Sequence, residues 1–246
     1  MKKRIKAPLT ATKRNKVETR IPNFDTLSNG GFEKNATNVI IGGSGSGKSI
    51  FATQFLLGGM SKGERTLYVT FEEKKIQFYD NMKEFGWDLK EYEKKGLFTF
   101  LEYTPEKVKT MLDEGGGAIE SIILEKKIER IVIDSITSFD LLFESELKKR
   151  EAALSLFSMI NKWNCTSLLT LEEEPSPTKK ISSQTIQFES DSLIALYYIL
   201  ENGERKHFLE ILKMRSTKHS NKIYRYEISE KGIIIDKKPT KKIPLQ

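Results

Sequence analysis

The chain has 246 residues, of which 38% are hydrophobic and 30% charged, and its formal net charge is +7. This length suits one domain of ordinary size, and the composition excludes a disordered or membrane-embedded chain. The longest uncharged apolar run, residues 193–200, is far shorter than the roughly 20 residues of a transmembrane helix. The basic N-terminus has no apolar core behind it, unlike a secretory signal. We therefore expect a soluble, cytoplasmic protein.

Cysteine and histidine are scarce in this chain. The single cysteine, Cys165, excludes an internal disulfide framework and indicates a reducing compartment. One cysteine and two histidines also exclude a zinc site built from these two residue types. We expect Cys165 to be a small buried residue at the start of a strand, and His207 to be solvated in a charged hairpin.

The positive charge is concentrated at the two ends. Residues 1–16 carry seven Lys and Arg, residues 237–246 carry four Lys, and neither segment has an acid. Subtracting these eleven charges from +7 leaves residues 17–236 at −4. We expect a disordered basic tail at 1–16, one domain at 17–236 and a second basic tail at 237–246. Solvated tails are the simpler interpretation. Tails that bind nucleic acid, an acidic membrane or an acidic partner remain the alternative, and only the tails could bring nucleic acid to this chain.

Strands and helices alternate along residues 38–171. The pattern predicts strands at 38–41, 66–71, 97–101, 131–133 and 166–171. It predicts helices from the glycines after residue 41 to about residue 60, at 75–85 and at 147–161, and two short helices within 105–125. In the helix at 75–85 the expected inward side chains are Ile76, Tyr79, Met82 and Phe85.

After Pro175 the pattern changes to strands alone, at 192–198, 208–214 and 224–228, with Asn202-Gly203 as a turn. Alternating strands and helices imply parallel pairing through helical crossovers. The predicted fold is therefore α/β, with a mostly parallel central sheet flanked by helices and an antiparallel C-terminal extension. The active site of such a sheet lies at the carboxyl ends of its strands.

A glycine-rich segment follows the first predicted strand. Residues 42–49 read GGSGSGKS and match the phosphate-binding loop G-x-x-x-x-G-K-[ST]. Its glycines let backbone amides turn toward phosphates, and the following helix offers unpaired N–H groups to the same anion. Lys48 would neutralise phosphate charge and Ser49 would ligate Mg²⁺. The residues expected to contact ATP are Gly43, Ser44, Gly45, Ser46, Gly47, Lys48, Ser49 and Ile50.

Acids follow two other predicted strands. Asp134 ends an apolar strand, where a protein with a phosphate loop places the outer-shell partner of its Mg²⁺ ion. Glu72 and Glu73 follow the strand at 66–71, and adjacent residues of an extended chain point to opposite faces. One of them could activate water near the γ-phosphate. Equally, the pair could be acidic residues at the N-terminus of a helix, where negative charge is favourable.

Two cations lie close together near the end of the strand at 208–214. Lys213 and Arg215 are two residues apart and therefore share a face. They could reach a nucleotide bound by a neighbouring subunit, as an arginine finger does. A solvated strand edge, where lysine blocks unwanted pairing, is the simpler interpretation of the residues alone.

Together these segments resemble the KaiC-type branch of the RecA-like ATPases in its single-domain form. The resemblance spans about residues 18–236, in family order. It is carried by residues 21–25 (IPNFD), the phosphate loop, residues 69–73 (VTFEE), 84–88 (EFGWD), 132–135 (VIDS) and 165–170 (CTSLLT), and by Lys213-Met214-Arg215 followed by His219. The combination of T-F-E-E with K-M-R-x-x-x-H is more specific than the loop alone.

The resemblance implies an ATPase that binds Mg²⁺ and ATP or ADP between the subunits of a homo-oligomeric ring, with a hexamer favoured. It implies that Glu72 activates water beside Glu73, that Lys213 and Arg215 act on the neighbouring subunit's nucleotide, and that Thr170 senses the γ-phosphate. His219 would help to shape the subunit interface. A regulatory role, with a protein partner that reads the nucleotide state, would suit such a ring.

The chain departs from the family pattern in three respects. It has one phosphate loop instead of the two of the tandem clock protein. Gln187 and Phe188 stand where that protein has its phosphorylated Ser-Thr pair, and Ser216 replaces a common glycine. Three alternatives to hydrolysis at a ring interface stay open: an ATP-binding assembly module that does not hydrolyse, a recombinase-like DNA-dependent ATPase, and an autokinase acting on Ser182, Ser183 or Thr185.

Overall fold

The computed structural model describes residues 15–104, 117–138, 145–176 and 184–240, together with residues 107, 110, 115 and 143. Within this part of the chain the helices are α1 (Phe24–Leu27), α2 (Lys48–Met60), α3 (Lys75–Lys83), α4 (Leu89–Lys94), α5 (Gly117–Lys126), α6 (Glu146–Lys162) and α7 (Gln184–Glu189). The first seven strands are β1 (Lys16–Val17), β2 (Phe32–Glu33), β3 (Thr37–Gly42), β4 (Thr66–Thr70), β5 (Phe98–Glu102), β6 (Arg130–Asp134) and β7 (Thr166–Glu172). The last four are β8 (Ser192–Glu201), β9 (Glu204–Met214), β10 (Ile223–Ser229) and β11 (Gly232–Pro239).

Nine of these strands form one sheet in the order β11-β10-β9-β8-β3-β7-β6-β4-β5. Pairing is parallel from β8 through β3 to β5 and antiparallel among β8, β9, β10 and β11. Strands β1 and β2 form a separate antiparallel pair. The predicted α/β class, with a mostly parallel sheet and an antiparallel C-terminal extension, is confirmed.

Apolar residues cover both faces of the sheet, because neighbouring residues of a buried strand point to opposite sides. In β3, Ile40 belongs to the core that contains Phe51 and Phe55 of α2. Its neighbours Val39 and Ile41 belong to the other core, which α5 and α6 help to build. Strand β3 is therefore buried on both sides, and the loop that follows it starts from a fixed position.

Local signals explain where several elements begin and turn. The Ser145 side chain accepts a hydrogen bond from the Lys148 amide and caps the start of α6. Asn202 and Gly203, with φ angles of 53° and 82°, form the two-residue turn between β8 and β9 that their sequence predicts. No helix in the described residues is long and apolar enough to cross a membrane.

Several elements differ from the sequence-based expectation. Helix α3 ends at Lys83, before the predicted residue 85, and Ile76 is 79% exposed while Phe78 is fully buried. The prediction that Ile76 faces inward is wrong, because the helix is rotated so that Phe78 packs against both Tyr68 and Phe100.

Other differences lie at the ends of the chain. Strand β11 was not predicted, and it extends to Pro239, three residues into the segment expected to be a C-terminal tail. At the other end, Lys16 pairs in β1, so the last residue of the predicted N-terminal tail belongs to the fold. The rest of that tail, to residue 14, lies outside the described residues, as do residues 241–246 and Ser182 and Ser183. Most of the first of the two helices predicted within 105–125 lies outside them as well, and α5 occupies the place of the second.

Candidate active site

The glycine-rich segment joins a buried strand to a buried helix. Strand β3 ends at Gly42 and α2 begins at Lys48, so the motif has the strand before it and the helix after it that its chemistry requires. Gly45 and Gly47 adopt φ angles of 78° and 84°, which glycine accommodates without strain. A Cβ on Gly42 would lie 2.3 Å from the Ser46 Oγ atom. The chain therefore needs glycine in order to turn this tightly.

Lys48 lies at the centre of the loop. Its Nζ atom donates hydrogen bonds to the carbonyl oxygens of Gly42 and Gly43, at 2.9 and 3.1 Å. Burial lowers the pKa of Lys48, while the negative charges of Glu172, Asp134 and Glu72 raise it. Glu172 ends β7, Asp134 ends β6 and Glu72 follows β4. The carboxyl ends of three parallel strands therefore place negative charge near one ammonium group.

Asp134 forms a polar cluster with residues of the neighbouring strands. Its carboxylate accepts hydrogen bonds from the hydroxyls of Tyr68 in β4 and Thr170 in β7. Burial together with Asp134 raises the pKa of Tyr68 far above its usual value, while the nearby Ser49 side chain lowers it slightly. Tyr68 therefore lies close to both Ser49 and Asp134, the two residues that were expected to hold Mg²⁺.

Sequence reasoning did not identify Tyr68, which lies inside an apolar strand and looks like a core residue. Thr170 was expected to sense the γ-phosphate, and in the structure its hydroxyl donates to Asp134.

The two glutamates after β4 point to different partners. One Glu72 carboxylate oxygen accepts hydrogen bonds from Ser138 Oγ at 2.8 Å and Ser135 Oγ at 3.2 Å. Glu73 accepts instead from the Asn81 amide of α3, at 2.7 Å, and burial raises its pKa. Glu72 therefore faces the strand end that carries Asp134, and Glu73 faces a helix. Sequence reasoning gave neither serine a role, although Ser135 lies in the segment 132–135 that carries the family resemblance.

The two C-terminal cations lie near the amino-terminal ends of the parallel strands, whereas the phosphate loop lies at the carboxyl-terminal ends. Met214 pairs with Ser192, and Ser192 pairs with Asn38 near the start of β3, whereas the loop follows the end of β3. Lys213 and Arg215 flank Met214. They are therefore separated from their own chain's loop by the length of a strand.

Within the chain, these cations hold the end of α7. Lys213 Nζ donates to the carbonyl oxygens of Gln187 and Ser190, at 2.6 and 2.5 Å. Arg215 donates to the Phe188 carbonyl and lies 3.6 Å from Asp191. Positive charge is favourable at a helix C-terminus, so both residues have a structural role as well.

Ser216, which the resemblance marks as a departure from a common glycine, adopts a φ of 59°. Glycine adopts this left-handed conformation with less strain than serine does. His219, which was expected to help shape the interface, lies three residues further on, with its Nδ1 atom 2.9 Å from the Ser220 carbonyl oxygen.

The expectation that His207 is merely solvated is wrong. Its ring stacks on Tyr198 with centroids 4.3 Å apart, and its Nε2 atom lies 3.1 Å from the Gly45 carbonyl oxygen. Burial lowers its pKa. The contact was missed because the β8–β9 hairpin, charged in sequence, folds over the phosphate loop.

The site fits a nucleotide phosphate chain together with one metal ion. Among the described residues, the buried Ser46 Oγ in the loop has no hydrogen-bond partner, and the first amides of α2 have none within the helix. No cluster of three or more His, Cys, Asp or Glu in the described chain could hold a metal by itself. Ser49 and Asp134 would therefore hold Mg²⁺ only together with phosphate oxygens, which is how phosphate-loop proteins bind it.

A phosphate loop at the carboxyl edge of this sheet defines the class: a RecA-like ATPase fold. A family model described as the KaiC ATPase matches residues 17–240, and the chain belongs to that family. The crystal structure of a KaiC-like protein from Pyrococcus horikoshii superposes with a TM-score of 0.80 at 35% identity, covering 91% of this chain and 99% of that one.

Two sequence relatives agree with this assignment. A UPF0273 protein of Pyrococcus furiosus is 32% identical over 233 residues, covering 89% of this chain and 93% of that protein. The circadian clock protein KaiC3 of Synechocystis is 32% identical over 230 residues, covering 89% of this chain. The chain spans about half the length of that clock relative, 45% of which is matched.

Proposed function

We propose that the chain binds Mg-ATP at its phosphate loop and hydrolyses it by in-line attack of water on the γ-phosphate. The observation that carries the proposal is the placement of the loop and Glu72 at the carboxyl ends of neighbouring parallel strands. Lys48 lies at the centre of the loop, and Glu72 is held by the two serines that follow Asp134. Phosphoryl transfer depends chiefly on positioning and on electrostatic stabilisation, so a cation and a candidate base at one site are what the reaction requires.

Each residue has a distinct role in this proposal. Lys48 and the first amides of α2 bind the β- and γ-phosphates. Ser49 and Asp134 hold Mg²⁺, which when bound screens phosphate charge and polarises the γ-phosphate. Glu72 orients the attacking water and accepts its proton. Ser135 and Ser138 donate to one oxygen of Glu72 and orient the carboxylate.

The test compares two neighbouring glutamates by phosphate release from the purified protein. Glu72→Gln should lower kcat by about 100- to 10,000-fold, because it removes a general base, while ATP binding measured by calorimetry persists. Glu73→Gln is the matched control, since Glu73 bonds Asn81 instead, and its kcat should stay within about threefold of wild type. Lys48→Ala should abolish calorimetric ATP binding.

Equal phosphate release by wild type and Glu72→Gln would contradict hydrolysis at this site. With ATP binding intact, that outcome would favour the assembly module that binds ATP without hydrolysing it. Undiminished ATP binding by Lys48→Ala would contradict the site itself.

We further propose that the active form is a homo-oligomeric ring, with a hexamer favoured, in which Lys213 and Arg215 complete the neighbour's site. Support comes from their position at the amino edge of the sheet, out of reach of their own loop. A protein partner that reads the nucleotide state would give such a ring a regulatory role.

Mixing two inactive variants tests the ring. Lys48→Ala lacks a functional loop, and Arg215→Ala lacks the cation. In a mixed ring, some interfaces combine the intact loop of an Arg215→Ala subunit with the intact Arg215 of a Lys48→Ala subunit. Phosphate release should therefore recover when the two are mixed, and the mass in solution should be that of an oligomer in the presence of Mg-ATP. A monomer with and without Mg-ATP, or no recovery on mixing, would contradict the shared site.

A further inference from the structure

Two successive carbonyl groups of the phosphate loop are held from outside by side chains of the antiparallel extension. His207 of β9 lies with Nε2 3.1 Å from the Gly45 carbonyl oxygen. Tyr226 of β10 donates its hydroxyl hydrogen to the Ser46 carbonyl oxygen. A carbonyl oxygen only accepts hydrogen bonds, so Nε2 of His207 carries the proton.

These bonds determine the direction of two peptide planes. A trans peptide is rigid, and its C=O and N–H point in opposite directions. A Gly45 carbonyl held toward His207 turns the Ser46 N–H away from His207. In the same way, a Ser46 carbonyl held toward Tyr226 turns the Gly47 N–H away from Tyr226. The outward carbonyls are thereby fixed. The Ser46 N–H points into the loop, where it donates to the Gly43 carbonyl oxygen at 3.3 Å, and the Gly47 N–H is left on the side of the loop that binds phosphate.

Packing immobilises the two donors. The His207 ring lies between Tyr198, at 4.3 Å and 13°, and Tyr226, with centroids 5.1 Å apart. Tyr226 is 1% exposed, and burial raises its pKa, which keeps its hydroxyl protonated. Tyr198 also contacts the loop, because a Cβ on Gly45 would lie 3.3 Å from its ring. The contacts therefore come from three rings that support one another.

We propose that His207 and Tyr226 are positioning residues that hold the phosphate loop in its nucleotide-binding conformation before the nucleotide arrives. The proposal rests on the proposed function of this loop. A loop that is already ordered loses less conformational freedom on binding, so pre-ordering increases affinity. The chemistry at the γ-phosphate occurs at Glu72, which neither residue contacts, so the effect belongs to binding and not to the chemical step.

Two substitutions at one position separate the donor from the ring. His207→Phe keeps an aromatic ring between the tyrosines but cannot donate to Gly45. His207→Gln keeps an N–H at the place of Nε2 but gives up the stacking. Tyr226→Phe removes only the hydroxyl, and it tests the second carbonyl independently if His207→Phe does not fold.

The measurements are the ATP dissociation constant by calorimetry, kcat and KM by phosphate release, and the midpoint of thermal unfolding. Loss of one hydrogen bond should raise the dissociation constant and KM by about 2- to 12-fold. The kcat of these variants should stay within about twofold of wild type. His207→Gln should restore most of the affinity for ATP. If the two residues only stabilised the fold, their replacement would lower the unfolding midpoint without raising KM at an unchanged kcat.

Three outcomes would overturn the proposal. The first is that His207→Phe and Tyr226→Phe bind ATP as tightly as wild type, and the second is that they lose kcat at unchanged ATP affinity. The third is that His207→Gln binds ATP as weakly as His207→Phe. If wild type binds ATP, Lys48→Ala does not, and the His207 and Tyr226 variants bind normally, only this proposal is wrong. If wild type itself does not bind ATP, the proposed function is wrong and this proposal with it.

Discussion

The buried Arg130 connects the helix that follows the phosphate loop to the rest of the fold, and replacing it should be strongly destabilising. Its guanidinium is 1% exposed and makes two bonds to the Glu64 carboxylate, at 2.5 and 3.1 Å. It also donates to the carbonyl oxygens of Glu18 and Phe55, at 2.9 and 2.8 Å, and lies 4.9 Å from the Phe55 ring centre. One side chain thus joins β6, α2, the loop after α2 and the N-terminal segment.

The size of the effect follows from what Arg130→Met leaves behind. Breaking a buried ion pair costs about 3–5 kcal/mol, because the remaining charge is left without its partner. Glu64 keeps 24% of its side chain exposed and regains some hydration, which favours the lower end of that range. The two carbonyl oxygens lose their donor as well. We therefore expect a loss of about 3 kcal/mol.

Urea unfolding followed by circular dichroism measures this loss, with Arg65→Met as the matched control. Arg65 is exposed and donates to one carbonyl oxygen, that of Lys126, so its replacement should cost less than about 1 kcal/mol. In a double-mutant cycle, Arg130→Met and Glu64→Gln should couple by about 1–3 kcal/mol. If Arg130→Met and Arg65→Met were equally stable, or the cycle gave no coupling, this account of Arg130 would be refuted.

Three more expectations can be checked with the purified protein. Burial lowers the pKa of His207 below 6.5, so the stability it contributes is present above that pH and is lost as the pH falls through the lower, folded pKa. Urea midpoints between about pH 7.5 and pH 5 should therefore fall more steeply for wild type than for His207→Gln, and parallel curves would contradict this. Burial raises the pKa of the Cys165 thiol to about 12, so a thiol reagent at neutral pH should react with unfolded protein and hardly with native protein. Gly31→Ala should destabilise by more than about 2 kcal/mol, because its Cβ would lie 2.1 Å from the Val17 carbonyl oxygen at a φ of 98°. Gly63→Ala, with a similar φ of 82° and open space around it, should cost only about 1 kcal/mol in the same unfolding assay. Equal losses of stability would show that crowding at Gly31 does not cause the destabilisation.

Sequence reasoning succeeded where the chemistry is local. The phosphate loop needs glycine, lysine and serine within eight consecutive residues, so the order of residues is itself the evidence. The same holds for the alternation of strands and helices and for the turn at Asn202-Gly203, because each depends on neighbours along the chain. Strand β11 was missed although residues 233–235 are three isoleucines, since a short apolar run next to a basic tail gives a weak signal.

The sheet order decided which side chains meet. Because β6 lies between β4 and β7, Asp134 receives hydrogen bonds from Tyr68 on one side and Thr170 on the other. The residue types at these positions are ordinary for buried strands, and nothing in their spacing predicts the contact.

The amino-acid sequence by itself thus determined the class of site, a loop for phosphate at the end of a parallel strand, because that chemistry is encoded in adjacent residues. Only the tertiary structure decided that Glu72 faces Ser135 and Ser138, and that His207 lies against Gly45, 162 positions away along the chain. Such contacts are made by strands that pair far from one another in sequence, and local patterns carry no information about that pairing.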